Sequence, residues 1–213
     1  MKYGPETYLI CSDCGGELIH RPLVAVDARF ATLWSDGYVD SPTVPEQPLV
    51  ARCGHCQMAV WLPELAVNPD GGGDACEYQP LTLAETQSLL DHHVSQPSDY
   101  QLHLRVKLWH QANHRYRNDS GPGVDWTEAE RANMEALLAI LDMHQVQERL
   151  MATELLRQLG QYESASALLD RQFEGMALDV VGLLRQQLDQ RHQRVFRCQL
   201  DQGADTCRAA DNR

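Results

Sequence analysis

A chain of 213 residues with 18 Lys and Arg against 30 Asp and Glu, a net charge of −12, is acidic and long enough for one medium domain or two small ones. The start, Met1-Lys2-Tyr3-Gly4-Pro5-Glu6, carries no signal-like apolar run, and no later stretch reaches the ~20 apolar residues of a membrane span, so a soluble cytoplasmic protein with no membrane partner is expected. Residues 1–98 hold 4 basic and 13 acidic side chains while residues 99–195 hold 11 and 14, and an N-terminal part of that sign repels a phosphate backbone, which argues against nucleic acid as the partner.

The first legible elements are two CxxC knuckles, Cys11-Ser-Asp-Cys14 and Cys53-Gly-His-Cys56. Two intervening residues let a tight turn aim both sulfurs at one ion, and two such turns supply the four thiolates a structural zinc prefers. The pattern predicts one structural Zn2+ per chain on Cys11, Cys14, Cys53 and Cys56, with Gly15 and Gly54 supplying backbone freedom. Four protein ligands fill the shell, so catalysis at this ion is not expected, and His55 is read as an exposed bystander. A redox reading would place a lone CxxC near a βαβ pattern, and none surrounds either pair. Between the knuckles, Leu23, Val24 and Val26, then Phe30 to Trp34, read as short strands, and Asp36-Gly37 as a hairpin turn. Pro42, Pro45 and Pro48 make the following segment a loop. Strand, knuckle, strand, repeated, predicts a zinc ribbon with an elaborated β-hairpin over residues 1–66.

Residues 67–98 read as a Gly/Pro-rich linker and a short helix: Gly71-Gly72-Gly73 is too glycine-rich for regular structure and lacks the Lys-Ser/Thr of a phosphate loop, while Thr82-Leu-Ala-Glu85 is a capping box. Helical periodicity continues over Asp99–Arg117, with Leu102, Val106, Trp109 and Asn113 on one stripe. It resumes behind a second capping box, Thr127-Glu-Ala-Glu130, and then over Val146–Leu159, Tyr162–Phe173 and Met176 to about Phe196. The expected fold class is α+β: a small antiparallel ribbon, a helical-hairpin domain over 99–196, and a tail over 197–213. Cys76, Cys198 and Cys207 are left as free thiols, with no flanking residue that would activate them.

Leu159-Gly-Gln-Tyr-Glu-Ser-Ala165 resembles the tetratricopeptide repeat, with Gly160, Tyr162 and Ala165 on motif positions, although only one repeat is legible where about three make a stable stack. Trp34-Ser-Asp-Gly37, the proline loop, the second knuckle followed by Trp61, and Leu-Arg-x-x-x-Trp-x-x-x-Asn from Leu104 to Asn113 together resemble a bacterial group of uncharacterised zinc-ribbon proteins with tetratricopeptide-like C-terminal helices. The resemblance reaches about residue 195. It implies architecture and no activity.

Outside the knuckles, His103, Lys107, His110, His114 and Arg117 recur at spacings of four, three, four and three, on one helical face. His110 and His114 have the spacing of a helical metal pair, but Gln111 stands where a zincin has its general-base glutamate. The face therefore reads as a second metal site, as a basic docking face for an acidic partner or for the acidic ribbon, or as an ordinary solvated surface. No nucleophile and base are adjacent, so the expected function is a non-catalytic, zinc-stapled interaction protein, an adaptor or a chaperone-like neutraliser of a basic partner. A metal-dependent hydrolase using His103, His110 and His114 is the alternative, and a nucleic-acid-binding ribbon a weaker one.

Overall fold

A computed structural model describes residues 2–25, 31–41, 47–92, 98–117, 123–175 and 177–198. Val26, Phe30, most of the proline loop, His93, Met176, Cys207 and the rest of the tail lie outside the described residues. In chain order the strands before the helices are β1 (Lys2–Tyr3), β2 (Thr7–Ile10), β3 (Glu17–His20), β4 (Leu23–Ala25), β5 (Thr32–Trp34), β6 (Val39–Asp40), β7 (Val50–Arg52), β8 (Ala59–Trp61), β9 (Ala66–Asn68), β10 (Cys76–Glu77) and β11 (Gln79–Pro80). Among the described residues six α-helices follow: α1 (Leu83–His92), α2 (Ser98–His114), α3 (Glu128–Ile140), α4 (Val146–Gln158), α5 (Tyr162–Leu169) and α6 (Ala177–Asp189), then β12 (Arg197–Cys198). The class is mixed α and β with several small sheets.

The chain forms two compact units. The first comprises Met1–Thr32, Val39–Arg115 and Trp126–Ile140. Each knuckle joins an antiparallel pair, β2 to β3 and β7 to β8. The segment predicted as a linker instead weaves these pairs into larger sheets: β9 pairs with β2, β10 runs parallel to β3, and β11 pairs with β7. Glycine does not prevent this because side chains clasp the triple glycine. The Gly72 amide donates to Glu17 Oε2 at 2.8 Å, and a Cβ on Gly71 or Gly72 would sit 2.9 Å from Tyr8 atoms.

The β7–β8 pair works on both faces, as period-2 alternation allows. Ala51, Cys53 and Val60 turn toward a core with Leu9, Cys11, Leu18, Leu62 and Leu65. Val50, with Ala59 and Trp61 beside it, turns the other way onto Leu81, Leu90 of α1 and Leu104 of α2. Trp61 stacks on Tyr100 with ring centroids 3.8 Å apart. The helices α1–α3 therefore share a unit with the cysteines, whereas the sequence reading set residues 99 onward apart. Both expected capping boxes form. Glu85 Oε2 accepts from the Thr82 amide at 2.7 Å, and Glu130 Oε2 from the Thr127 amide at 2.8 Å.

The second unit comprises Leu33–Tyr38, Tyr116–Asp125 and Leu141–Arg213. The Trp34-Ser-Asp-Gly37 turn closes as expected, with the Trp34 amide donating to Tyr38 O at 2.9 Å and Gly37 at φ +79°. Its place differs from the expectation of a ribbon insert: it packs with the C-terminal helices, and β5 pairs with β12, the start of the supposed tail. Gly160 (φ +77°) ends α4 as expected, with the Gln161 amide returning to Leu156 O at 2.8 Å. The same closure ends α6 at Arg191 (φ +51°), where the His192 amide returns to Gln187 O. An arginine in this left-handed position gives no glycine signal, so the sequence carried the helix too far.

Candidate metal centre

Each knuckle starts from a strand end and is closed by the same pair of backbone bonds. In the first, the Gly15 amide donates to Cys11 O (3.0 Å) and the Cys11 amide to Gly16 O (2.9 Å). In the second, Gln57 donates to Cys53 O (3.0 Å) and Cys53 to Met58 O (2.8 Å). The residue after the second cysteine of each knuckle takes the left-handed conformation, Gly15 at φ +71° and Gln57 at φ +64°. Gly54 thus serves another end: a Cβ there would lie 2.5 Å from Cys76 Sγ and 2.5 Å from Glu77 O, so glycine lets β10 pass over the knuckle. Gln57 tolerates its backbone with help from its own side chain, whose Nε2 donates to Gly54 O at 3.0 Å.

The four cysteine sulfurs lie within 4.8 Å of one another. Cys11 and Cys56 Sγ are 3.8 Å apart, and Cys14 and Cys53 Sγ 3.9 Å. A disulfide would bring sulfurs to ~2.05 Å, and all six described cysteines are free. Four thiolates this close repel one another without a cation. Cys56 accepts from the Met58 amide, which lowers its pKa, yet burial and hydrogen bonding with the other three thiols push it up to about 12. A metal ion would resolve the conflict by taking all four as thiolates. Cys11 and Cys53 are buried in the core, Cys56 is half-buried and Cys14 exposed. His55 is exposed, as expected, and its Nε2 lies 3.0 Å from Glu17 O, so it ties the knuckles together without being a ligand. Cys76 is a fifth thiol packed on this core, its pKa raised by burial and by the charges of Cys53 and Cys14.

The other sequence candidates do not join the cysteine group. His103, Lys107 and His110 are half-buried and His114 exposed, and His103 meets Trp61 edge-on at 5.9 Å. Among the described residues, the four cysteines are the one group of three or more His, Cys, Asp or Glu whose ligand atoms converge, so His110 and His114 gain no third ligand there. Arg117 lies beyond the end of α2 and is buried in the second unit, its two terminal nitrogens donating to Asp36 at 3.1 and 2.7 Å and its guanidinium lying over Tyr38 (4.3 Å) and Trp34 (5.1 Å).

Sequence reasoning missed the polar interior of that unit. Glu154, Arg157 and Gln158 of α4 have no exposed surface. Glu154 accepts from Arg157, Gln158 and the Ser35 hydroxyl, and Arg157 also donates to the carbonyls of His192 and Arg194, which pins the chain before β12 onto α4. Beside this network a cavity of about 190 Å³ is bounded by Ser35, Asp36, Leu150, Met151, Leu184 and Cys198. Burial, then the charges of Glu154 and Asp36, push the Cys198 thiol up to about 11, so it stays protonated and non-nucleophilic. A charged residue three or four places from an apolar one reads as the solvent face of a helix, and nothing local revealed that α4 is enclosed on its charged side as well.

No helix among the described residues is long and apolar enough to cross a membrane. Comparison of the chain with protein-family models, curated proteins and solved structures finds no match.

Proposed function

We propose that the cysteine cluster holds one structural zinc, that the paired sheets around it are a zinc ribbon, that α4 and α5 are a tetratricopeptide-like hairpin, and that the protein is a non-catalytic adaptor for a basic protein partner. The observation that carries the metal reading is the sulfur geometry: a Zn–S bond of ~2.3 Å sets tetrahedral edges at about 3.8 Å, which matches the 3.8 and 3.9 Å pairs. With four thiolates the shell is closed. No position is left for water or substrate, so the ion is a staple and the working surface lies elsewhere. For the helical hairpin the support is Gly160 ending α4 and Ala165 fully buried in α5, which packs against α4. For the partner, the support is the net charge of −12, which steers basic proteins toward the surface and rejects acidic ones.

The test is affinity capture from native lysate with metal-loaded and chelator-treated protein, washed at about 0.05 M and about 0.5 M salt. A basic protein should be retained at low salt, released at high salt and absent from the chelated sample. No recovered partner, or one indifferent to salt, would count against the adaptor.

A further inference from the structure

Cys76 touches both knuckles without belonging to either. Its strand, β10, runs parallel to β3, the strand that leaves the first knuckle, with Cys76 opposite Leu18. Its sulfur lies over the second knuckle, 2.5 Å from where a Cβ on Gly54 would sit, and its side chain packs on the core that holds Cys11 and Cys53. The knuckle sulfurs whose charges act on it are those of Cys53 and Cys14, 3.9 Å apart, so Cys76 stands at the Cys14–Cys53 edge of the cluster. The four clustered sulfurs lie within 4.8 Å of one another, and Cys76 is not among them. A fifth thiol thus borders a shell that four thiolates already fill.

We propose that Cys14 and Cys76 form a peroxide-sensitive pair: hydrogen peroxide oxidises Cys14, Cys76 captures the oxidised sulfur as a disulfide, and the zinc is released. The inference goes beyond the structural-zinc reading and rests on it. Exposure selects Cys14, since Cys11 and Cys53 are buried and Cys56 is half-buried. Metal binding keeps the Cys14 sulfur a thiolate, the nucleophilic form. That thiolate attacks one oxygen of the peroxide, the O–O bond breaks, and hydroxide leaves, which makes Cys14 a sulfenic acid. The Cys76 sulfur then attacks the Cys14 sulfur. The S–O bond breaks, and the hydroxyl leaves as water with the proton of the Cys76 thiol. Each sulfur gives up one electron, and the peroxide ends as two waters once the released hydroxide takes a proton from solvent. Cys76 is the capturing group because, among the described residues, it is the thiol beside the cluster that the metal does not hold, while Cys11, Cys53 and Cys56 are still engaged as ligands. Three thiolates then remain, the shell opens to water, and the affinity for zinc falls.

The experiment treats the full zinc-loaded chain with hydrogen peroxide, follows released zinc with a chromogenic chelator, and locates disulfides by mass spectrometry of unreduced peptides. A Cys14–Cys76 disulfide should appear with about one zinc released for each bond formed, and a thiol reductant with added zinc should restore the loaded protein. Cys76→Ser should load the same zinc before oxidation. After oxidation its Cys14, with no thiol to capture the sulfenic acid, should pass on to sulfinic acid, and the fraction that reductant and zinc restore should fall at least about fivefold. A disulfide that leaves out Cys76, no disulfide at all, or a Cys76→Ser protein that recovers as the wild type does would overturn the proposal. The wild-type disulfide map stands by itself should that variant fail to fold. A zinc-loaded chain without the Cys14–Cys76 bond sinks this inference and leaves the zinc staple standing, whereas a chain that carries no zinc sinks both.

Discussion

Gly54 and Gln57 show how one backbone motif can be met by unlike residues. The sequence suggests that Gly54 gives the second knuckle its freedom, but the left-handed position is Gln57, and Gly54 is glycine because Cys76 and Glu77 cross over it. Gly54→Ala should therefore cost about 1–3 kcal/mol through overpacking and loosen the metal site, while Gly73→Ala, which meets nothing within 4 Å, should be neutral in the same urea titration. Asp36 makes a second case. Its carboxylate and Arg117 are almost wholly withdrawn from solvent, with 0% and 3% of their side chains exposed, so Asp36→Ala strands a buried cation and should cost about 3–5 kcal/mol. An effect below about 1 kcal/mol would mean that the pair is solvated in solution. His192 adds a pH dependence. Burial, then the positive charge of Arg157, lowers its pKa below the ordinary 6.5, and its Nδ1 has no hydrogen-bond partner among the described residues. The unfolded chain takes up the proton first, so stability is full above 6.5 and falls as pH drops toward the lowered folded value. His192→Gln should flatten the fall in stability on the acid side of pH 6.5.

At the scale of elements, what could be read from the chain was what is encoded locally. The knuckles, the strands beside them, the Asp36-Gly37 turn, both capping boxes and the Gly160 helix end each depend on a few adjacent residues, and each forms. Thr82→Ala should accordingly cost about 1 kcal/mol and fray α1 in amide exchange. What could not be read depends on partners far along the chain. The Gly71–Gly73 segment is ordered by Glu17 and Tyr8, more than fifty residues earlier, and β12 exists because β5 offers it an edge. α4 looks amphipathic, yet Glu154 and Arg157 point into a polar interior completed by Ser35, 119 residues before Glu154. A periodicity argument assumes that charge faces water, and here the assumption fails. The histidine face shows the same limit: i, i+4 spacing placed His110 and His114 together but could not say whether a third ligand would come to them.

For the whole molecule, the two-sided β7–β8 pair decides how far the metal's influence extends. Its inner face carries Cys53 and its outer face seats α1 and α2 through Val50, so an ion held by the knuckles would also hold the platform for two helices. The sequence reading, which ends the ribbon at residue 66 and begins the helical domain at residue 99, implies that losing the metal unfolds the first 65 or so residues and leaves most of the helical signal. The structure implies a larger loss, one that takes α1 and α2 with the ribbon and spares α4–α6 in the other unit. The most direct measurement combines elemental analysis with amide exchange before and after chelation. About one zinc per chain should be found, absent in Cys53→Ser, and its removal should strip protection from β7, β8, α1 and α2 while α4 and α5 keep theirs. A metal-free protein, or one in which α1 and α2 stay protected after the zinc has gone, would contradict the account.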